Sequence, residues 1–245
     1  MAQGFYARDL AHVHDEAFGH LARAGAEALL RRLEALGAGD GLVLDLGCGS
    51  GITAAALSGA GYDVIGVDLS ADLLEIARER APLATFVQGS VFEAEIPADC
   101  VAVTAIGEIL NYARDPRAGR EAMQGLFARV RAALRPGGIF LFDVVEPGRE
   151  RGGPRRDWHE GSDWMLCLEA REDDAARRLE RRITVFRRAG ATYERSDERH
   201  ELWLSPRDEV LADLAAAGFE RPHLLSAYGA HVRFGPGHAG FLARG

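Results

Sequence analysis

The 245 residues suffice for one α/β domain with a sizeable core and an insertion. With 29 basic against 37 acidic residues the formal charge is −8, which argues against nucleic acid as substrate, because a polyanion needs a basic face. Cys48, Cys100 and Cys167 form no C-x-x-C pair, and no apolar run approaches a membrane span or a targeting segment, so the expectation is a cytoplasmic protein with neither disulfides, nor metal, nor a membrane partner.

Leu21, Ala24, Ala28, Leu29, Leu33 and Leu36 recur at helical spacing and predict a helical cap over residues 1–36, ended by the glycines of 37–41. Leu42-Val-Leu-Asp-Leu46 reads as a short buried strand that stops at Gly47-Cys-Gly-Ser-Gly51. Three glycines in five positions leave one wall of the turn bare, so a ligand can lie against backbone. Ile52-Thr-Ala-Ala-Ala-Leu57 then starts a helix whose N-terminal N–H groups point back at the turn. Strand, glycine turn and helix open a nucleotide-binding βαβ unit.

The dinucleotide fingerprint G-x-G-x-x-G is absent: the spacing is G-x-G-x-G, and Ile52 stands where the third glycine belongs. Asp45 would repel a pyrophosphate on the turn and suits a ligand that carries a cationic amine near its nucleoside. Tyr62 to Asp68 gives a second strand ending in an acid, 19 positions after Gly49, where a carboxylate can accept from both ribose hydroxyls; Ser70 or Asp72 caps the next helix. Strands follow at Leu83–Gln88, Asp99–Ile106 and Ile139–Val145, the last after a helix over Glu121–Leu134 and the turn Arg135-Pro-Gly-Gly138.

From about Glu146 the pattern changes. Residues 147–162, rich in Gly, Pro and Arg, read as a flexible loop, and Trp164–Ala170, Arg178–Phe186 and Thr192–Leu204 alternate as an antiparallel meander. Ser205 as N-cap with Pro206 opens a helix closed by Gly218, and two last strands are expected near Leu224–Tyr228 and Gly240–Ala243. The expected units are a helical cap (1–36), a cofactor-binding core (37–146), a β lid (147–204) and a C-terminal completion of the core (205–245).

Val43-Leu-Asp-Leu-Gly-Cys-Gly-Ser-Gly51 resembles the first motif of the class I, Rossmann-like S-adenosylmethionine-dependent methyltransferases, and Leu134-Arg-Pro-Gly-Gly-Ile-Phe-Leu-Phe-Asp143 resembles the turn before their fifth strand. The resemblance implies a doubly wound, mostly parallel seven-stranded sheet with an antiparallel lid after the fifth strand. It implies cofactor contacts at Tyr6, Asp45, Gly47, Cys48, Gly49, Gly51, Asp68, Leu69, Gly89, Ser90, Val91, Ala105 and Ile106. Ser90 occupies the position where the family often has an aspartate facing the adenine amine, with Val91 or Phe92 as the apolar face; His14 stands where the leader, which ends in Asp15, usually has a tyrosine.

Methyl transfer from a sulfonium needs chiefly alignment in a dry pocket, and a base only if the nucleophile must lose a proton. The candidate bases are His14, His159, His200 and His231, with Glu108 and Tyr112 nearer the expected reaction centre; His200 also resembles a Glu-x-x-His stretch of this subgroup. Asn111, Tyr112, Trp158, Arg182 and His200 are expected at the substrate, with Arg182 and Arg199 suited to an acidic one. The expectation is a monomeric or homodimeric enzyme that methylates an O or N atom of a small molecule and releases S-adenosylhomocysteine. A non-catalytic S-adenosylmethionine-binding protein and an NAD-dependent oxidoreductase are the rival readings, the latter opposed by the missing glycine and by Asp45.

Overall fold

The computed structural model describes residues 5–229 and 232–245. Two helices, α1 (Arg8–Ala17) and α2 (His20–Ala35), replace the single helical run expected at the start. The core alternates β1 (Leu42–Leu46), α3 (Ile52–Gly59), β2 (Asp63–Asp68), α4 (Ala71–Arg80), β3 (Thr85–Gln88), β4 (Cys100–Ala105), α5 (Arg120–Ala133) and β5 (Leu134–Val145). The insertion is β6 (Arg155–Glu160), β7 (Trp164–Asp173), β8 (Arg178–Ala189) and β9 (Thr192–Trp203); α6 (Arg207–Ala216), β10 (Glu220–Leu225) and β11 (His238–Arg244) return to the core.

The main sheet has the order β10-β11-β5-β4-β1-β2-β3, with only β11 antiparallel to its neighbours β5 and β10. Central strands covered by helices on both faces read as unbroken apolar runs, and every residue of β4 is buried. Phe127, Phe140, Phe142, Phe219 and Phe241 fill one face as a stack, with Phe140 and Phe142 centred 4.4 Å apart. Because β1 is followed by β2 on one side and flanked by β4 on the other, the order reverses at β1, and a crevice opens beyond the carboxyl ends of β1 and β4.

The lid is a separate antiparallel sheet, β6-β7-β8-β9. Its inward face carries Trp164, Leu166, Ile183 and Val185, which pack against Leu10 and Val13 of α1. The first helix therefore belongs to the lid as much as to the core.

Three local expectations are corrected. The loop expected over residues 147–162 contains β6, an edge strand whose polar residues show no apolar alternation. Arg135–Gly138 are taken up within β5 by a register shift, since Cys100 pairs with Leu134 and Ala102 with Ile139. Ser205 does not cap α6: its hydroxyl accepts from the Asn111 amide at 3.0 Å, and the Glu146 carboxylate takes the Arg207 N–H at 3.0 Å instead.

Candidate functional site

The glycine turn closes the crevice from below. Gly47, Gly49 and Gly51 hold φ values of 68°, 53° and 76°, a region that side-chain-bearing residues avoid. Asp68, buried at the end of β2, takes the Gly49 N–H on Oδ2 at 2.9 Å and the Ser70 N–H on Oδ1 at 2.8 Å. This fixes the carboxylate over the turn and leaves acceptor capacity toward the cavity that Asp68 and Leu69 line.

Asp45 is buried at the end of β1. Oδ1 accepts from the Thr104 hydroxyl at 2.6 Å, while Oδ2 has no partner among the described residues. Burial, aided by the neighbouring Asp68 charge, pushes its pKa up to about 7 against the opposing Thr104 hydrogen bond. An orphaned, buried carboxylate oxygen in this cavity is what a cationic amine would satisfy. Gly49 adds to the fit, for a Cβ there would meet nothing within 4 Å.

At the other end, the Ser90 hydroxyl is committed: it donates to Asp115 Oδ2 and accepts the Phe92 N–H at 3.1 Å. Buried Asp115, which the sequence reading did not select, supplies the carboxylate of this wall beside Val91 and Phe92. Cys48 and Ile106 also line the cavity. Gly51, Gly89 and Ala105 do not: Gly51 packs on Ala77, Gly89 donates its N–H to Asp68 O at 2.9 Å, and Ala105 is interior to the sheet.

A second cavity of about 650 Å³ lies between lid and core, and Tyr6, His14, Ile106, Gly107 and Tyr112 form a wall common to both. The Tyr6 and Tyr112 hydroxyls share a hydrogen bond at 2.8 Å across that wall. Tyr6 has a left-handed backbone (φ 47°), held because Glu198 accepts the N–H groups of Tyr6 and Ala7 at 2.9 and 2.8 Å and the Ser70 hydroxyl donates to Tyr6 O at 2.8 Å.

His200, on β9, faces the second cavity. Its Nε2 meets Glu198 Oε2 at 2.8 Å, and Nδ1 has no partner. Glu198 already accepts two backbone N–H groups and so acts as an acceptor, which assigns the shared proton to His200 Nε2. Glu108 is the opposite case. Burial alone would raise its pKa, but Arg181 at 2.7 Å and Arg149 at 3.6 Å bring it down to about 2, so it is a poor proton acceptor. Burial pushes His14 down to about 4.

Several expected substrate residues lie elsewhere. Asn111 is fully buried; its amide donates to Trp203 O at 2.6 Å and Ser205 Oγ at 3.0 Å, and its oxygen takes the Val145 N–H at 3.0 Å. It is a clasp between β5, β9 and α6, not a substrate contact. Trp158 is 61% exposed on the edge strand, and the Arg182 side chain, 66% exposed, pairs with Glu180 on the outer face. Arg199 pairs outward with Glu180 and Glu201. His159 lies beside Asp157 and lines neither cavity; His231 lies outside the described residues. Where no metal was expected, His12, Glu16 and Asp163 do converge, within 4.8 Å of one another, at the junction of α1 and the lid. Glu16 there accepts from Trp164 Nε1 and Asp163 faces Arg187.

A doubly wound sheet with this glycine turn, a strand-end carboxylate over it and an antiparallel insertion is the Rossmann-like fold. Residues 43–138 match the family model for a methyltransferase domain. The chain is 27% identical to YqeM of Bacillus subtilis (strain 168), which carries a methyltransferase name, across 89% of this chain and 86% of that one. Its fold is shared with an S-adenosylmethionine-dependent methyltransferase from Clostridium acetobutylicum ATCC 824 (TM-score 0.79, 19% identity, 96% of each chain). It is shared too with CalS10, an amino pentose methyltransferase from Micromonospora echinaspora solved with S-adenosylmethionine bound (TM-score 0.75, 20% identity, 100% of this chain and 99% of that one). These likenesses identify residues 43–138 as a methyltransferase domain, set in a chain of Rossmann-like fold.

Proposed function

We propose that the chain methylates an oxygen or nitrogen atom of a small molecule held in the second cavity, by in-line displacement. The observation that carries this reading is the wall common to the two cavities: ligands in the two would meet end to end beside the Tyr6 and Tyr112 rings. A lid-covered space of about 650 Å³ suits a small acceptor, and the amino pentose named for CalS10 is of that size class. The same space counts against a protein that only binds the cofactor.

When bound, S-adenosylmethionine supplies the methyl group on a sulfonium and is released as S-adenosylhomocysteine. Asp45 would hold the amine, Asp68 the ribose hydroxyls, and Val91, Phe92 and Asp115 the base. His200 Nδ1 takes the proton from the acceptor's hydroxyl or ammonium, and Glu198 positions the ring.

The test is calorimetric titration of wild type and Asp68→Ala with S-adenosylmethionine, S-adenosylhomocysteine and NAD, followed by a screen of acceptors for S-adenosylhomocysteine release. Binding of the first two, weakened at least tenfold in the variant, supports the reading. Binding of NAD alone, or an unaffected variant, overturns it.

A further inference from the structure

Four arginines (Arg149, Arg155, Arg181 and Arg233) line the second cavity against two glutamates, Glu108 and Glu150. This positive interior belongs to a chain whose formal charge is −8, so it is not a by-product of composition. Arg155 is balanced: Nε lies 3.1 Å from Glu150 and Nη1 3.1 Å from Asp157. Arg149 and Arg181 are not, because both converge on the single carboxylate of Glu108. The other groups placed against Arg181 are the phenols of Tyr112 and Tyr6, both kept neutral by burial. Among the described residues the ion-paired cluster thus holds two guanidiniums and one carboxylate. The buried Asp143 carboxylate nearby is taken up by the Gly107 and Glu108 N–H groups, Tyr228 and His238, and the Arg181 side chain is 15% exposed. A net positive charge in so dry a place is costly until an anion meets it.

The lid register says where that anion would lie. Arg181 on β8 and His200 on β9 are directly opposed partners, so their side chains leave the sheet on the same face, about 5 Å apart at Cβ. The guanidinium and the free imidazole nitrogen therefore address neighbouring parts of one bound molecule.

Resting on the function proposed above, we infer that the methyl acceptor carries a carboxylate, held by Arg149 and Arg181 beside the atom that His200 deprotonates. Arg182 and Arg199, the arginines that the sequence suggests for this purpose, pair outward with Glu180 and Glu201. Glu108 sets the strength of the site by competing for the same two guanidiniums, so the inference fixes the sign of two opposite substitutions.

The experiment titrates protein saturated with S-adenosylhomocysteine with three probes of one size: salicylate, 2-hydroxybenzyl alcohol and 2-hydroxybenzylamine. Salicylate should bind at least tenfold tighter than the other two. Arg149→Gln should weaken salicylate about tenfold, and Glu108→Gln should strengthen it by a similar factor, while neither changes the affinity for S-adenosylhomocysteine. Equal binding of the three probes, tighter binding of the amine, or no salicylate binding to the loaded wild-type protein overturns the inference, as does a preference that both variants leave intact. Failure of S-adenosylhomocysteine to bind wild type would instead overturn the proposed function itself, so the two failures are told apart.

Discussion

Glu198 and His200, two residues apart on one strand, hold each other at 2.8 Å, and the ring nitrogen away from Glu198 has no partner among the described residues. The pairing fixes the tautomer before any ligand arrives. Nitrogen-15 NMR of the cofactor-free protein should show a proton on His200 Nε2, and Glu198→Gln should scramble that assignment. With an acceptor that turns over, His200→Phe should lower kcat by about 10²-fold or more with little change in S-adenosylhomocysteine affinity. An unchanged kcat would remove His200 from the chemistry.

Asp45 makes the cofactor-free protein sensitive to pH. In the unfolded chain its carboxyl ionises near 3.8, while in the fold it keeps its proton to about 7. As pH rises through that window the folded state alone retains the proton, so stability falls, by roughly 4 kcal/mol in all at about 1.4 kcal/mol per pH unit. Chemical denaturation should therefore find Asp45→Asn more stable than wild type at pH 8, with the difference shrinking toward pH 4. Affinity for S-adenosylhomocysteine should rise from pH 5.5 to 8 in wild type, as the carboxylate that meets the amine forms, and stay flat in the variant.

Gly49 and Gly51 share a backbone region and should fail differently. A Cβ on Gly51 would sit 3.0 Å from Ala77 Cα, whereas one on Gly49 would project into open space. Gly51→Ala should cost about 2–3 kcal/mol in denaturant unfolding, combining left-handed strain with the clash. Gly49→Ala should cost about 1–2 kcal/mol from strain alone, yet weaken S-adenosylhomocysteine at least tenfold in calorimetry by filling the cavity wall.

Asn111→Ala separates a clasp from a ligand contact. Removing the amide strands the buried Val145 N–H and Trp203 carbonyl, which should cost about 2–4 kcal/mol. Cofactor affinity measured on the folded variant should not move. Full stability with altered acceptor handling would restore the substrate role that the sequence suggests.

The sequence made the core sheet legible because its central strands are buried on both faces: runs such as Ile139-Phe-Leu-Phe could lie nowhere else. Asp45, Asp68 and the glycine turn meet at one cavity because the strand-turn-helix pattern sets them at the carboxyl ends of adjacent strands. The lid was legible as strands but not in its facing. Arg181 and Arg182 are adjacent, and a strand sends neighbours to opposite sides, so the choice between them is one of parity that only cross-strand register decides. Arg182 pairs with Glu180 on the outer face, and Arg181 lines the cavity. β6 was hidden because an exposed edge strand needs no apolar alternation, and Asp115 because its partner, Ser90, is 25 positions away.

The leading segment near Tyr6 touches both halves of the molecule through consecutive peptide groups: its N–H reaches Glu198 on the lid, and its carbonyl reaches Ser70 beside Asp68. A displacement of that segment would break its ties to the lid and to the core together, so the two halves of the molecule are coupled through one residue.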